Sequence, residues 1–198
     1  MKTASTFICV HLRVALICAI WAVPTIAAAQ QPPYVPEVGQ QGKDVIWVPT
    51  PPELVEKMLD MAKVTPADYV IDLGSGDGRN VIAAARRGAR ALGVEFNPEM
   101  VALSERLAKE AGVTEKATFV QGDMFEADFS DATVLALFLL PDNLRRLEPK
   151  IRALKPGTRI VLNTFGIPGW EPDVSERIEG NCESWCTALL YTVPPRKP

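Results

Sequence analysis

The sequence predicts an α/β protein: a Rossmann-like, doubly wound, mostly parallel sheet closed by a C-terminal antiparallel hairpin. Three observations predict it. Short apolar runs alternate with segments of helical periodicity, the pattern of parallel strands joined by crossover helices. The first apolar run, Tyr69–Leu73, leads into a loop with glycine at alternate positions, Gly74, Gly76 and Gly78, and then into a helix from about Asn80. Near the end, two strand-like runs, Val174–Glu179 and Trp185–Val193, flank Gly180-Asn181, a hairpin turn signal.

Residues 1–29 stand apart from the rest. Met1–Arg13 carries Lys2 and Arg13 and no acid, Val14–Ala29 is apolar, and Ile-Ala-Ala-Ala precedes Gln30. This is the layout of a secretory signal peptide, and the apolar run is short against the roughly 20 residues of a spanning helix. An uncleaved N-terminal membrane anchor is the alternative. Either way the basic flank directs the following domain out of the cytoplasm, into the periplasm for an exported protein. Without residues 1–29 the 21 basic residues become 19 while all 24 acidic ones stay, a net charge of −5. That charge argues against nucleic acid and is compatible with a basic protein or peptide. The only histidine, His11, also lies in this segment, so the remaining domain has no Ser-His-Asp triad, histidine metal site or histidine base. Cys182 and Cys186 make no zinc site without histidine, and no metal is expected. In an extended strand they lie about 13 Å apart, too far for a disulfide. A bridge requires a bend between them; otherwise they are two inert thiols.

The elements follow in order. Residues 30–47, rich in Pro, Gln and Gly, predict an irregular arm before a domain over residues 48–198. Thr50-Pro-Pro-Glu53 reads as a capping box, with Thr50 capping a helix over Pro51–Val64 whose buried face is Leu54, Val55, Met58, Leu59 and Ala62. Ala89–Glu95 is the second strand. Asn97-Pro98 caps a helix that stops at Gly112, and Ala117–Gln121 is the third strand. Ala132–Leu140 is an apolar fourth strand. Pro141–Leu154 is a helix expected to break near Pro149, and Thr158–Phe165 is the fifth strand.

The glycine loop carries the chemistry. Alternate glycines let the main chain turn sharply and a ligand approach it, and the loop's run into a helix start is expected to present unpaired N–H groups. The dinucleotide fingerprint Gly-x-Gly-x-x-Gly does not fit: the third glycine falls one position early, and Arg79 stands where that pattern wants glycine. Asp72 would repel a pyrophosphate but suits an ammonium or sulfonium. Glu95 ends the second strand about 20 residues on, where a nucleotide-binding βαβ unit holds ribose hydroxyls. Asp123 and Met124 follow the third strand. Three carboxylates after three successive strands form one constellation.

Asp72-Leu-Gly-Ser-Gly-Asp-Gly78 resembles motif I of the class I S-adenosylmethionine (SAM) methyltransferases. The resemblance implies the strand order 3-2-1-4-5-7-6 and SAM as cofactor. It implies a cofactor site of Thr50, Asp72, Gly74, Ser75, Gly76, Gly78, Glu95, Phe96, Asp123 and Met124, with Asp123 accepting from the adenine amino group, Met124 covering the ring and Thr50 near the SAM carboxylate. The Asn/Asp-Pro-Pro-aromatic motif of amide and adenine methylases is replaced by Leu139-Leu140-Pro141-Asp142, and the acidic gate of aminopropyl transferases is filled by leucines. Val48–Leu59, Leu137–Pro141, Leu154-Lys-Pro-Gly157 and Asn163–Trp170 are together similar to the small non-SET protein-lysine methyltransferases, which modify the adenine-nucleotide translocase and the ATP synthase c-subunit, and their prokaryotic relatives. This implies a protein or peptide acceptor, in some members membrane-associated, and an acceptor channel of Phe138, Leu139, Pro141, Phe165 and Trp170. A protein isoaspartyl or small-molecule methyltransferase is the rival within the class, and a non-catalytic periplasmic module of the same fold is the rival outside it.

Overall fold

The computed structural model describes residues 34–180 and 182–195. The expected signal segment and the turn residue Asn181 lie outside them. The chain runs α1 (Pro52–Met61), β1 (Tyr69–Leu73), α2 (Arg79–Arg86), β2 (Arg90–Glu95), α3 (Pro98–Glu110), β3 (Ala117–Gln121), β4 (Val134–Leu137), α4 (Pro141–Arg152), β5 (Arg159–Asn163), β6 (Val174–Arg177) and β7 (Thr187–Thr192). The seven strands form one sheet in the order β3-β2-β1-β4-β5-β7-β6. The first five of these run parallel, and β7 lies antiparallel to both β5 and β6. This is the expected topology, and it puts the loops after β1, β2 and β3 side by side at one edge of the sheet.

The period of two along each strand divides the core. Val70, Val134, Ala136 and Val161 point to one face, where they meet Leu54, Met58 and Leu59 of α1 and Val81–Ala85 of α2. Ile71, Leu73, Leu135, Leu137, Ile160 and Leu162 point to the other, against Leu144, Leu147 and Ile151 of α4. Burial on both faces explains why the central strands read as continuous apolar runs.

Three of the differences from expectation bear on the site and its support. β4 ends at Leu137, not Leu140: its register with β5 stops at Leu137↔Leu162 and β1 pairs it only at Val134 and Leu135, which leaves Phe138 beyond the strand at the cavity beside Gly74. α4 continues through Pro149 to Arg152 instead of breaking. Proline forfeits one i→i−4 bond, but Leu147 and Ile151 on either side are fully packed and hold the last turn in place. α1 starts at Pro52 with Pro51 as its N-cap and no side-chain cap. Thr50 therefore does not cap it, and its side chain is free for another partner.

Candidate active site

Asp72 shares the parity of Val70 and points to the α1–α2 face. In the first turn of α2, Asn80 donates from Nδ2 to Asp72 Oδ2 (3.0 Å) and to the Ala136 carbonyl (3.2 Å). Asp72 is 3% exposed. Burial pushes its carboxyl well above the usual carboxylate range. The Asn80 hydrogen bond opposes the shift, and the charges of Glu95 and Asp77 add to it. A carboxylate so placed is matched to a cation that would enter beside it.

Gly74, Gly76 and Gly78 all have left-handed φ, at 71°, 56° and 78°. At Gly78 the need for glycine is also steric: a Cβ would lie 2.5 Å from the Phe119 ring and 2.9 Å from Ser104. The loop does not, however, hold its N–H groups in reserve. Gly74 and Ser75 donate to the Val94 carbonyl (2.8 and 3.1 Å), Gly78 donates to the Ser75 carbonyl (2.9 Å) and Gly76 donates to Glu95 Oε2 (2.9 Å). The expected row of free donors is corrected for these four: the turn is tight enough that the Val94 carbonyl, Glu95 and the loop's own Ser75 carbonyl absorb them. Glu95 also accepts from the Asn97 N–H through Oε1 (2.9 Å). It thus ties the glycine loop to the start of α3 and faces the ligand edge with both oxygens fixed.

Asp123 accepts from the Phe125 N–H (2.9 Å) and forms an ion pair with Lys43. The Lys43 ammonium holds the Asp123 carboxyl below its ordinary range, helped by the Phe125 N–H. Lys43 also sits over the Phe96 ring, 4.7 Å from its centroid. It belongs to the expected irregular arm, which is a folded loop here: Gln41 bridges Ile46 and the Gly39 N–H donates to the Trp47 carbonyl (2.8 Å).

Two cavities of about 40 Å³ each flank Gly74. One is lined by residues 42–45, Gly74, residues 94–96 and residues 122–124. The other is lined by residues 47–50, Asp72, residues 74–77, Arg79, Asn80 and Phe138. Thr50 in the second cavity accepts from Asn163 Nδ2 (3.3 Å), and its carbonyl accepts from Arg79 (2.6 Å). Among the described residues, Ser75 Oγ, Asn80 Oδ1 and Asn163 Oδ1 are buried with no hydrogen-bond partner, which suits a polar ligand. The residues therefore fit a nucleoside at the first cavity and a charged amino-acid end at the second. Both cavities are far below the roughly 300 Å³ at which ligand pockets begin, and residues 42–45 and 47–50 are the walls that narrow them. Lys43→Ala, which removes the arm's hold on Asp123 and Phe96, is expected to tighten SAM binding roughly two- to tenfold by calorimetry, with a difference that shrinks at high salt.

On the acceptor side, Phe138 and Phe165 stack with centroids 6.2 Å apart. The other three expected channel residues stand outside this aromatic pair. Leu139 is buried in the core, with Cδ2 3.5 Å from where a Gly74 Cβ would stand. Pro141 opens α4. Trp170 packs edge-on to Tyr191 (5.6 Å) under the Arg152 guanidinium (4.6 Å), so it shields the α4 side of the core. The aromatic that does meet Phe138 is Trp185, at 6.1 Å. Arg79, Asn80, Asn163, Lys43 and Trp185 are not among the expected site residues. Only Arg79 has a sequence signal, as the departure from the dinucleotide pattern.

Comparison with known proteins agrees with this geometry. Residues 72–174 match the family model described as the ANTKMT methyltransferase domain. The chain is 42% identical to a protein-lysine N-methyltransferase of Saccharolobus islandicus over 83% of this chain and 99% of that one. It is 36% identical to the human lysine N-methyltransferase of the ATP synthase c-subunit over 64% of this chain, and it spans 54% of that protein's length. Among solved structures, an RNA methyltransferase from Salinibacter ruber in complex with S-adenosylhomocysteine aligns at 45% identity and a TM-score of 0.71, over 76% of this chain and 97% of that one. A Geobacter sulfurreducens SAM-dependent methyltransferase, also with S-adenosylhomocysteine, aligns at 27% and 0.51 over 57% of this chain and 47% of that one. These findings set aside the non-catalytic reading and make SAM the cofactor: the chain is a SAM-dependent methyltransferase and belongs to the family described as the ANTKMT methyltransferase domain.

Proposed function

We propose that the protein methylates the side-chain amine of lysine in a protein acceptor. The observation that carries this reading is the 42% identity to the Saccharolobus protein-lysine N-methyltransferase across nearly its whole length. SAM, when bound, supplies an electrophilic methyl group on a sulfonium. In this reading Asp72 faces its ammonium, Thr50 and Arg79 its carboxylate, Glu95 its ribose hydroxyls and Asp123 its adenine amino group, with Phe96 and Met124 beside the ring. The remaining chemistry is alignment of the nucleophile, which can supply on the order of 7–11 kcal/mol. The lysine must be neutral when it attacks. The faces of Phe138 and Phe165 receive it as a cation, and exclusion of water then lowers its pKa so that its proton passes to the solvent before the attack, with no histidine base needed.

An RNA acceptor is the second reading, favoured by the Salinibacter relative and opposed by the net charge of −5 for residues 30–198. Incubation with labelled SAM and either cell protein or cell RNA decides between them. The expected result is label in methyl-lysine after acid hydrolysis of the protein; label only in RNA sinks the lysine reading.

We further propose export to the periplasm, with a membrane anchor by residues 1–29 as the alternative and a membrane-associated acceptor within reach in both cases. The basic start and apolar run of residues 1–29 support it, as does the Cys182–Cys186 disulfide of the folded domain. N-terminal sequencing of the protein from fractionated cells should find a chain starting at Gln30 outside the cytoplasm; an intact chain in the cytosol overturns the proposal.

A further inference from the structure

The loop between β6 and β7 has no counterpart in the chemistry so far. Cys182 and Cys186 are joined by a disulfide, with Cα atoms 5.8 Å apart. The bend that this demands falls at Ser184-Trp185, and Trp185 adopts left-handed backbone at φ 56°. A bulky residue rarely adopts that conformation unaided. Cys186 is fully buried, and its carbonyl accepts from the Ile178 N–H (2.9 Å), which anchors one end of the small ring. Among the described residues, the other end is held through sulfur. The product of this strain is an indole turned onto Phe138, at 6.1 Å and tilted by 56°, yet still 42% exposed.

Phe138 links this indole to the cofactor site, because it lines the cavity with Asp72 and Gly76. Phe165, stacked on Phe138, follows Thr164, another non-glycine residue with left-handed φ (58°) whose Oγ1 is buried without a partner among the described residues. The Thr164 N–H donates to the Thr187 carbonyl (2.7 Å), one residue past the disulfide. Of the three non-glycine residues with left-handed φ among the described residues, Lys63, Thr164 and Trp185, two thus adjoin one aromatic cluster, as strained backbone does at working sites. Outside it, a cavity of about 360 Å³ is lined by Glu53, Glu179, Cys182 and Glu183, of the sign that draws a basic chain.

We propose that Trp185, held by the Cys182–Cys186 disulfide, is the outer wall of the acceptor site and positions the incoming amine against Phe138 and Phe165. The inference rests on the lysine-methyltransferase reading. It goes beyond that reading in assigning acceptor recognition to a disulfide-closed loop and a basic segment as the acceptor's class. Trp185 shapes entry and does not touch the methyl donor.

The test uses the full-length protein with labelled SAM and poly-L-lysine as acceptor. Five forms are compared: wild type, Trp185→Ala, Trp185→Phe, Cys182→Ser/Cys186→Ser, and wild type treated with dithiothreitol, which takes the disulfide to two thiols as it is itself oxidised. Trp185→Ala, the double serine variant and the reduced protein are expected to raise the acceptor KM at least roughly tenfold while kcat changes by less than about threefold. Trp185→Phe should recover most of the loss. The SAM dissociation constant, read by calorimetry, should stay within about twofold in all five forms. An unchanged KM in Trp185→Ala overturns the inference, and so does a parallel loss of SAM affinity, which would make Trp185 part of the cofactor site. Wild type that binds SAM but forms no methyl-lysine overturns the lysine reading itself, and the inference with it.

Discussion

Asp72→Asn is expected to stabilise the free protein and cripple SAM binding in the same stroke. Asp72 is buried on β1 with its carboxyl pushed well above the ordinary range, first by burial and then by the charges of Glu95 and Asp77. The sign follows directly. The folded-state pKa lies above the unfolded value of about 3.9, so ionising this group opposes folding, and stability declines as pH rises from about 4 through the raised value. Asparagine keeps an oxygen for Asn80 Nδ2, which now donates to Asp72 Oδ2 at 3.0 Å, and carries no charge. A gain of about 1 kcal/mol, or roughly 2–4 °C in Tm for a chain of this size, is expected by calorimetric melting without ligand. Binding moves the other way. Removing a buried carboxylate from an ammonium costs about 2–4 kcal/mol, roughly a 30- to 1,000-fold weaker Kd. The two effects also separate by pH. Wild-type affinity should fall as acid protonates Asp72, and the asparagine variant should show no such step. A variant that melts lower would overturn the electrostatic argument, and one that binds SAM as wild type does would remove Asp72 from the cofactor site.

The physical reason that the cofactor half is legible in the sequence is that it is local. Asp72, Gly74, Gly76 and Gly78 lie within seven residues. Glu95 ends β2 and Asp123 follows β3, strands whose apolar runs mark their ends, so position along the chain stands in for position in space. The acceptor half is not local. Phe138 and Phe165 come from the ends of β4 and β5, neighbours in the sheet, and their proximity follows from the topology. Trp185 reaches Phe138 only through a disulfide and a left-handed backbone, and neither has a periodicity to read. Trp170 is the natural candidate in the sequence because it sits among Pro and Gly; the structure turns it instead onto Tyr191 and Arg152. Thr50 shows the same limit from the other direction. Its capping-box pattern is sound, yet Pro51 takes the cap, and the hydroxyl goes to Asn163, 113 positions away.

The residue just before the same strand is a second carboxylate with the opposite electrostatics, and its loss should cost the fold most. Asp68 immediately precedes β1, at the end of the strand away from the cofactor loop, and is 7% exposed. It accepts from the Thr65 N–H (2.8 Å), the Thr65 hydroxyl (3.0 Å) and the Thr133 hydroxyl (2.7 Å), and it pairs with the Arg159 guanidinium. Arg159 also donates to the Ala62 carbonyl (2.5 Å). One side chain thus joins the end of α1 to the starts of β1, β4 and β5. Burial works against its ionisation, but the donors from Thr65, Thr133 and Arg159 outweigh it and hold the carboxyl below its ordinary range. Here the linkage has the usual carboxylate sign: the contribution is fully present above about pH 4–5 and is lost as pH falls through the depressed folded value. Asp68→Ala leaves Arg159 and the Thr133 hydroxyl without their shared acceptor. The expected loss is about 3 kcal/mol, near the low end for breaking a buried pair because Arg159 keeps some exposure. Urea unfolding at neutral pH should show it as a lower midpoint with an unchanged slope. Between pH 5 and the acid limit the variant should lose less stability than wild type, because the group that titrates there is gone. SAM affinity at neutral pH should be unaffected, since no atom of Asp68 lines either cavity beside Gly74. Equal acid sensitivity in the two proteins would mean that Asp68 gains nothing from its four donors. β1 would then be held by its neighbours in the sheet alone.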